Sequence, residues 1–167
     1  ATHPAGQALT ATDGTFTGNL DVSSGTIKLD GNYPTGTNNV ALGNAALDDG
    51  SLSGGYNTAI GNAALGANTT GEQNVAVGQN AADAVTTGSS NVAVGAHALG
   101  QTTTASDNTA VGKDALTSNT TGTQNTAVGY GAGDTTTTGS YNVFVGRLSG
   151  DDNTTGSNNT AVGRSSY

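Results

Sequence analysis

The sequence predicts an all-β fold, a parallel β-solenoid in which short strands stack along one axis. A pattern of Asn, a branched residue, a third residue that is Ala in seven copies, an aliphatic residue and Gly occurs eight times in the 167-residue chain. The first step between copies is 18 residues and every later step is 17. So short a period corresponds to one small structural unit repeated along a line. We therefore predict eight coils of roughly 17 residues over residues 38–167.

Each copy opens on Asn and closes on Gly. Recurring Asn side chains in stacked strands can form amide ladders, and Gly can end a strand because it adopts backbone angles that other residues avoid. We assign these positions a structural role. They are Asn39, Gly43, Asn57, Gly61, Asn74, Gly78, Asn91, Gly95, Asn108, Gly112, Asn125, Gly129, Asn142, Gly146, Asn159 and Gly163.

The residues between Asn and Gly alternate in size, which predicts a short strand. The branched residues share one face of that strand, and Ala lies on the other. We expect the aliphatic face to fill the interior of a thin coil and the Ala face to contact neighbouring chains. Phe144 replaces Ala once. It is expected to plug that interface, with an outward ligand contact as the alternative.

The rest of each coil predicts a turn, a second short strand and a polar loop. The second strand is indicated by an apolar pair such as Ala98-Leu99, and two variable residues before it are expected to be exposed. The loop is commonly Asn-Thr-Thr-Gly, as at 119–122. Asn and Thr hydrogen-bond local backbone and Gly supplies positive φ, so this is a turn sequence.

The N-terminal part has a different pattern. Residues 1–13 predict an extended segment, and residues 14–37 predict a β-rich shaft or connector with two alternating strands around Ser23-Ser24-Gly25. The chain is therefore divided into 1–13, 14–37 and the solenoid at 38–167.

The composition limits the partners. The net charge of −8 with four basic residues disfavours nucleic acid, which requires clustered Lys and Arg. No apolar run approaches the length of a transmembrane helix, so membrane insertion is not expected. The absence of Cys removes disulfides and thiolate metal ligands. Each coil has few large hydrophobic residues to offset the entropy of ordering, and we expect several chains to pack together.

We found no pattern that indicates an enzyme, a cofactor or a metal site. His3 and His97 lack a nucleophile motif, and the acid pairs Asp48-Asp49 and Asp151-Asp152 are better explained as solvated turns than as glycosidase carboxylates. The variable positions and loops remain candidates for surface recognition. They include His97, Tyr130 and Arg147.

The sequences of 38–43 and 90–95 (Asn-Asn-Val-Ala-Leu-Gly and Ser-Asn-Val-Ala-Val-Gly) resemble the head repeat of YadA-type trimeric autotransporter adhesins. That resemblance implies a β-roll with three chains to a head. The longer coil, its Asn-Thr-Thr-Gly loop and the strands at 14–31 resemble repeats of bacteriophage tail fibres and other virion appendages.

These resemblances imply a homotrimeric, non-enzymatic fibre segment of an extracellular virion appendage. Its partners would be other fibre proteins and a host-surface polysaccharide or receptor. A bacterial trimeric adhesin head is the alternative. An ice-binding or a glycosylated extracellular filament protein is a further one, although the Thr residues cluster in loops rather than on one strand.

Overall fold

The structure is a computed structural model that describes residues 37–167. The predicted segments 1–13 and 14–37, apart from Thr37, lie outside the described residues. Each copy of the repeat contributes one three-residue strand. The strands are β1 (Val40–Leu42), β2 (Thr58–Ile60), β3 (Val75–Val77), β4 (Val92–Val94), β5 (Thr109–Val111), β6 (Thr126–Val128), β7 (Val143–Val145) and β8 (Thr160–Val162).

The eight strands form one parallel sheet in sequence order, each paired with its copies in the adjacent coils. The register is strict, so that Ala93 pairs with Ala76 and with Ala110. Eight strands joined in this way enclose about seven turns of a β-solenoid. The predicted all-β parallel solenoid is thereby confirmed, but the eight strands enclose about seven coils rather than the eight predicted. Within residues 37–167 there is no helix, and so none long and apolar enough to cross a membrane.

The inward and outward faces of each strand are the reverse of those predicted. In β4 the central Ala93 is fully buried, whereas Val92 and Val94 are only half-buried. The physical reason is side-chain parity: Asn91 and Ala93 lie two residues apart and point to the same side, and both are buried inside the coil. The prediction that the aliphatic face fills the coil and that Ala contacts other chains is therefore wrong.

The second apolar pair forms a turn rather than the predicted short strand. Ala98 and Leu99 are both fully buried, and Leu99 has a positive φ of 53°. This left-handed backbone lets two adjacent side chains face inward. Because Leu99 fills the interior from the turn, only a small residue such as Ala93 fits opposite it on the strand.

Phe144 lies inside the coil with no exposed surface. Room for its ring comes from Gly133 and Gly150, at the positions where other coils carry Leu99 or Leu116. A Cβ atom on Gly133 would lie 2.5 Å from Phe144 Cδ2, and one on Gly150 would lie 2.2 Å from Cδ1. Both expectations for Phe144, an interface plug and an outward ligand contact, are therefore wrong.

The Gly that ends each strand is required by backbone angle and by space. Gly95 has a φ of +136°, which L-residues with a side chain rarely adopt. A Cβ atom there would lie 2.5 Å from the carbonyl carbon and oxygen of Gly112 in the next coil. The predicted role of this Gly as a strand terminator is confirmed.

Candidate functional site

The Asn positions form a buried ladder that joins the coils. Asn108 Oδ1 accepts from the backbone N–H of Asn125 at 2.9 Å, and Asn108 Nδ2 donates to the Gly122 carbonyl at 2.9 Å. One amide therefore satisfies a donor in the next coil and an acceptor in its own return loop. The recurring Asn residues thus form the predicted amide ladder, in which all members are buried except the last, Asn159, which is partly buried.

A second Asn closes the return loop. Asn119 Oδ1 accepts from the Gly122 N–H at 3.0 Å, and its Nδ2 donates to the Gly122 carbonyl at 2.9 Å. These bonds confirm that Asn closes a turn, but the prediction that Gly supplies positive φ is wrong, because Gly122 has no positive φ. Gly122 is required by space instead, since a Cβ atom there would lie 2.2 Å from the Gly139 carbonyl oxygen. The loop backbone is fixed by these bonds, so residues on its outer side occupy regular positions from coil to coil.

The outward faces of the strands form an aliphatic strip along the rod. We define the strip as the third strand position, which is aliphatic in all eight coils, together with the first position, which is Val in four coils and Thr in the other four. Its exposed members include Leu42 (45% exposed), Ile60 (38%), Val111 (36%), Val128 (39%), Val145 (37%) and Val162 (67%). At about 4.8 Å per coil, the strip extends for roughly 34 Å. A contiguous apolar surface of this kind marks an interaction face more often than a monomer surface.

A second surface column follows the terminal Gly of each strand. From the first coil to the eighth its residues are Asn44, Asn62, Gln79, Ala96, Lys113, Tyr130, Arg147 and Arg164. Three of the chain's four basic residues therefore stand in one column, in a protein with a net charge of −8. We call Lys113, Tyr130, Arg147 and Arg164 the basic column.

The centre of the basic column is an aromatic ring between two cations. Lys113 Nζ lies 5.3 Å and Arg147 Cζ lies 5.4 Å from the ring centroid of Tyr130, within cation–π distance. Lys113 also forms an ion pair with Asp114, whose hydrogen bond raises the Lys113 pKa. Arg147 and Arg164 are exposed, and the guanidinium fork suits carboxylate or phosphate oxygens.

The structure brings together two of the three predicted recognition residues. Tyr130 and Arg147 are neighbours in the basic column, whereas His97 lies one residue along, in the adjacent column, and is half-buried. Lys113 and Arg164 were missed as members. The spacing of 17 residues that they share with Tyr130 and Arg147 is the sequence feature that would have included them.

The acidic side chains form no cation cage. Within residues 37–167, no group of three or more His, Asp or Glu side chains is arranged to hold a metal ion. Desolvation raises the pKa of Asp134, and the nearby carboxylates of Asp151 and Asp114 raise it further. Asp134 Oδ1 is buried without a hydrogen-bond partner among the described residues. Asp49 Oδ1 accepts from the Ser51 N–H at 2.7 Å, as in a solvated turn.

Comparison with known proteins gives no relative from which to transfer a function. The chain matches no protein-family model, no curated protein and no solved structure.

Proposed function

We propose that the chain is a structural and adhesive fibre segment of a virion appendage, and that it assembles as a homotrimer. The observation that carries the proposal is the aliphatic strip on a narrow rod. A rod of stacked coils supplies length and stiffness, and each coil contacts only its neighbours. The described residues provide surfaces for assembly and recognition. Among them, no cluster of side chains suggests catalytic chemistry.

The aliphatic strip supports assembly of several chains. Each coil buries a Leu or its equivalent, Ala and Asn, which is little apolar volume for the backbone that it orders. Burying the strip against other copies would remove the exposed surfaces of Leu42, Ile60 and their equivalents from water, at about 25 cal/mol per Å². The resemblance to trimeric head repeats favours three chains.

The basic column supports recognition of an anionic surface. Lys113 and Arg147 stand two coils apart with the Tyr130 ring between them, and Arg164 follows one coil after Arg147. A carboxylated or phosphorylated polysaccharide of a host envelope has matching charge. Three copies of a weak site on one trimer would bind with the avidity that a fibre needs.

A binding experiment tests this recognition. The full chain is titrated with an acidic polysaccharide, such as polygalacturonate, and with neutral dextran as a control. We expect binding of the acidic polymer that weakens with salt and falls at least tenfold in Tyr130→Ala/Arg147→Ala. The variant Gln79→Ala, in the same column but distant from the cations, should bind like the wild type. Equal binding by all three proteins would exclude the basic column as the binding site for the acidic polysaccharide.

The bacterial adhesin head remains the alternative function. Immunogold labelling of an infected or producing culture with antibodies to residues 37–167 separates the two. Label on the appendages of virus particles supports the fibre, and label confined to the surface of uninfected cells supports the adhesin. Label in neither place contradicts both.

A further inference from the structure

The return loops carry two adjacent columns of Thr. In six consecutive coils the loop contains a Thr-Thr pair, and the columns differ in exposure. The inner column is Thr69, Thr86, Thr103, Thr120, Thr137 and Thr154. The outer column, which is exposed in all six coils, is Thr70, Thr87, Thr104, Thr121, Thr138 and Thr155.

The inner column fixes the spacing of the loops. Thr120 N–H donates to the Thr137 carbonyl at 2.8 Å, and Thr120 Oγ1 donates to the same oxygen at 3.1 Å. Thr86 repeats this arrangement with Thr103, at 2.9 Å and 3.2 Å. The loops therefore stack with the strict register of the strands, and the outer Thr side chains are repeated at about 4.8 Å along the axis.

A third column of hydroxyls lies beside the outer Thr column. The residue two positions after each outer Thr is Ser or Thr in five consecutive coils, and the small residue between them faces inward. Ser140 Oγ accepts from the Thr123 N–H at 3.0 Å, and Ser157 Oγ accepts from the Ser140 N–H at 3.0 Å. These bonds orient the Ser side chains regularly. We call the outer Thr column and this Ser/Thr column the hydroxyl face.

No hydrogen bond within the described part of the chain involves the hydroxyl groups of the outer Thr residues. The inner hydroxyls bond to the adjacent coil, but those of the outer column make no hydrogen bond to residues 37–167. Other exposed columns vary freely, as the change from Gln79 to Tyr130 in the column after Gly illustrates. An exposed residue repeated six times without an internal partner indicates an external ligand that has the same repeat.

We infer that the hydroxyl face binds the surface of ice. Thr is restricted at χ1 because it is β-branched, so its methyl and hydroxyl groups stand at defined positions and little entropy is lost on binding. A repeat of about 4.8 Å is near that of oxygen atoms along one axis of hexagonal ice. Each hydroxyl can donate and accept, as a lattice water does.

The charge and composition of this face favour ordered water over a sugar. Glu72 and Asp107 are the only charged residues in the six segments that run from each inner Thr through the four residues that follow. Tyr141 is the only aromatic residue in them. A polysaccharide site would need more charged groups or stacking surfaces than this face provides.

Ice growth in the presence of the full chain tests the inference. Nanolitre osmometry should show thermal hysteresis and faceted crystals with the wild type. The double variant Thr104→Lys/Thr121→Lys, at the centre of the face, should lose most of the hysteresis because two ammonium groups disrupt the array. The control Gln79→Lys, on a different exposed column, should keep it, and circular dichroism verifies that each variant is folded.

The absence of hysteresis and of crystal shaping by the wild type would overturn the inference, whatever the variants do. Equal activity of the wild type and the folded double variant would overturn it as well. Binding to crystalline chitin in a pull-down without any effect on ice would assign the face to a polysaccharide instead. These results do not depend on trimer formation or on the basic column, so the proposed fibre function can stand or fall separately.

Discussion

At the scale of single residues, parity along each strand decides what lies inside the coil. The Asn that opens the repeat and the Ala two residues later point the same way, and a buried amide ladder requires both to face inward. The sequence therefore contained the information needed to place the branched residues outside. The branched residues face outward despite their greater hydrophobicity, because only Ala93 shares the parity of the buried Asn91.

The amide ladder gives the first prediction. Asn108→Ala removes the acceptor for the Asn125 N–H and the donor for the Gly122 carbonyl. The Gly122 carbonyl keeps its bond from Asn119 Nδ2, whereas the buried Asn125 N–H is left without an acceptor. We therefore expect a loss of roughly 1 to 3 kcal/mol in the free energy of unfolding, measured by urea denaturation. The control Asn62→Ala, at an exposed Asn, should stay within about 0.5 kcal/mol of the wild type. Equal effects at the two positions would contradict the role of the ladder.

Asp134 gives a pH-dependent prediction. Desolvation and the neighbouring carboxylates raise its pKa above the ordinary value of 3.8. The folded state therefore binds the proton more tightly than the unfolded chain does. This contribution to stability is present below pH 3.8 and is lost as the pH rises through the raised pKa. Asp134→Asn should consequently raise the melting temperature at pH 7.

The gain from Asp134→Asn should shrink towards pH 3, where the wild-type carboxyl is also neutral. Melting curves of both proteins at pH 7 and pH 3 measure the difference. The matched control is Asp152→Asn, at an exposed acid in the adjacent coil, which should give a smaller change. A gain in melting temperature from Asp134→Asn that is the same at both pH values would exclude the raised pKa of Asp134 as its cause.

At the scale of the coil, the interior is filled jointly by strand and turn. Where the strand supplies Ala, the turn commonly supplies Leu, and where the strand supplies Phe144, the turns supply Gly133 and Gly150. The replacement of Ala by Phe144 and the loss of Leu at Gly133 and Gly150 are both visible in the sequence, 11 and 6 residues from Phe144. Without the fold, nothing showed that the three residues meet.

This exchange of volume predicts a compensating pair of substitutions. Phe144→Ala should cost about 3 to 5 kcal/mol by leaving a cavity, and Gly133→Leu should also destabilise because the added side chain meets the ring. The double variant should recover most of the loss, since Leu116 has a similar positive φ at the equivalent position of the preceding coil. Additive losses in the double-mutant cycle would contradict joint filling.

The turns were the least predictable element. Leu99 and His97 have positive φ values of 53° and 59°, and neither residue type indicates a left-handed backbone. The stacking register imposes these angles, because each turn must place its hydrogen bonds on the copy in the next coil. The period and the Asn and Gly positions were predictable from the sequence alone. The turn geometry was not, because it depends on contacts between coils.

At the scale of the whole molecule, the rod has surfaces that repeat with the coil. Columns such as the aliphatic strip and the basic column exist because side chains 17 residues apart stand above one another. The strip was read from the sequence as an interior surface, and the basic column was recognised only in part, through Tyr130 and Arg147. Both surfaces follow from the alignment of residues 17 positions apart in successive coils.

The outward aliphatic strip is central to the account, and the mass of the native particle tests it most directly. Light scattering on the chromatographed full chain should give three times the 16.1 kDa chain mass. The variant Val111→Lys/Val128→Lys should shift the particle to the monomer, because charges cannot be buried unpaired in an apolar contact. The control Gln79→Lys should leave it trimeric. A wild-type mass of one chain, at concentrations where the protein is folded, would contradict the account.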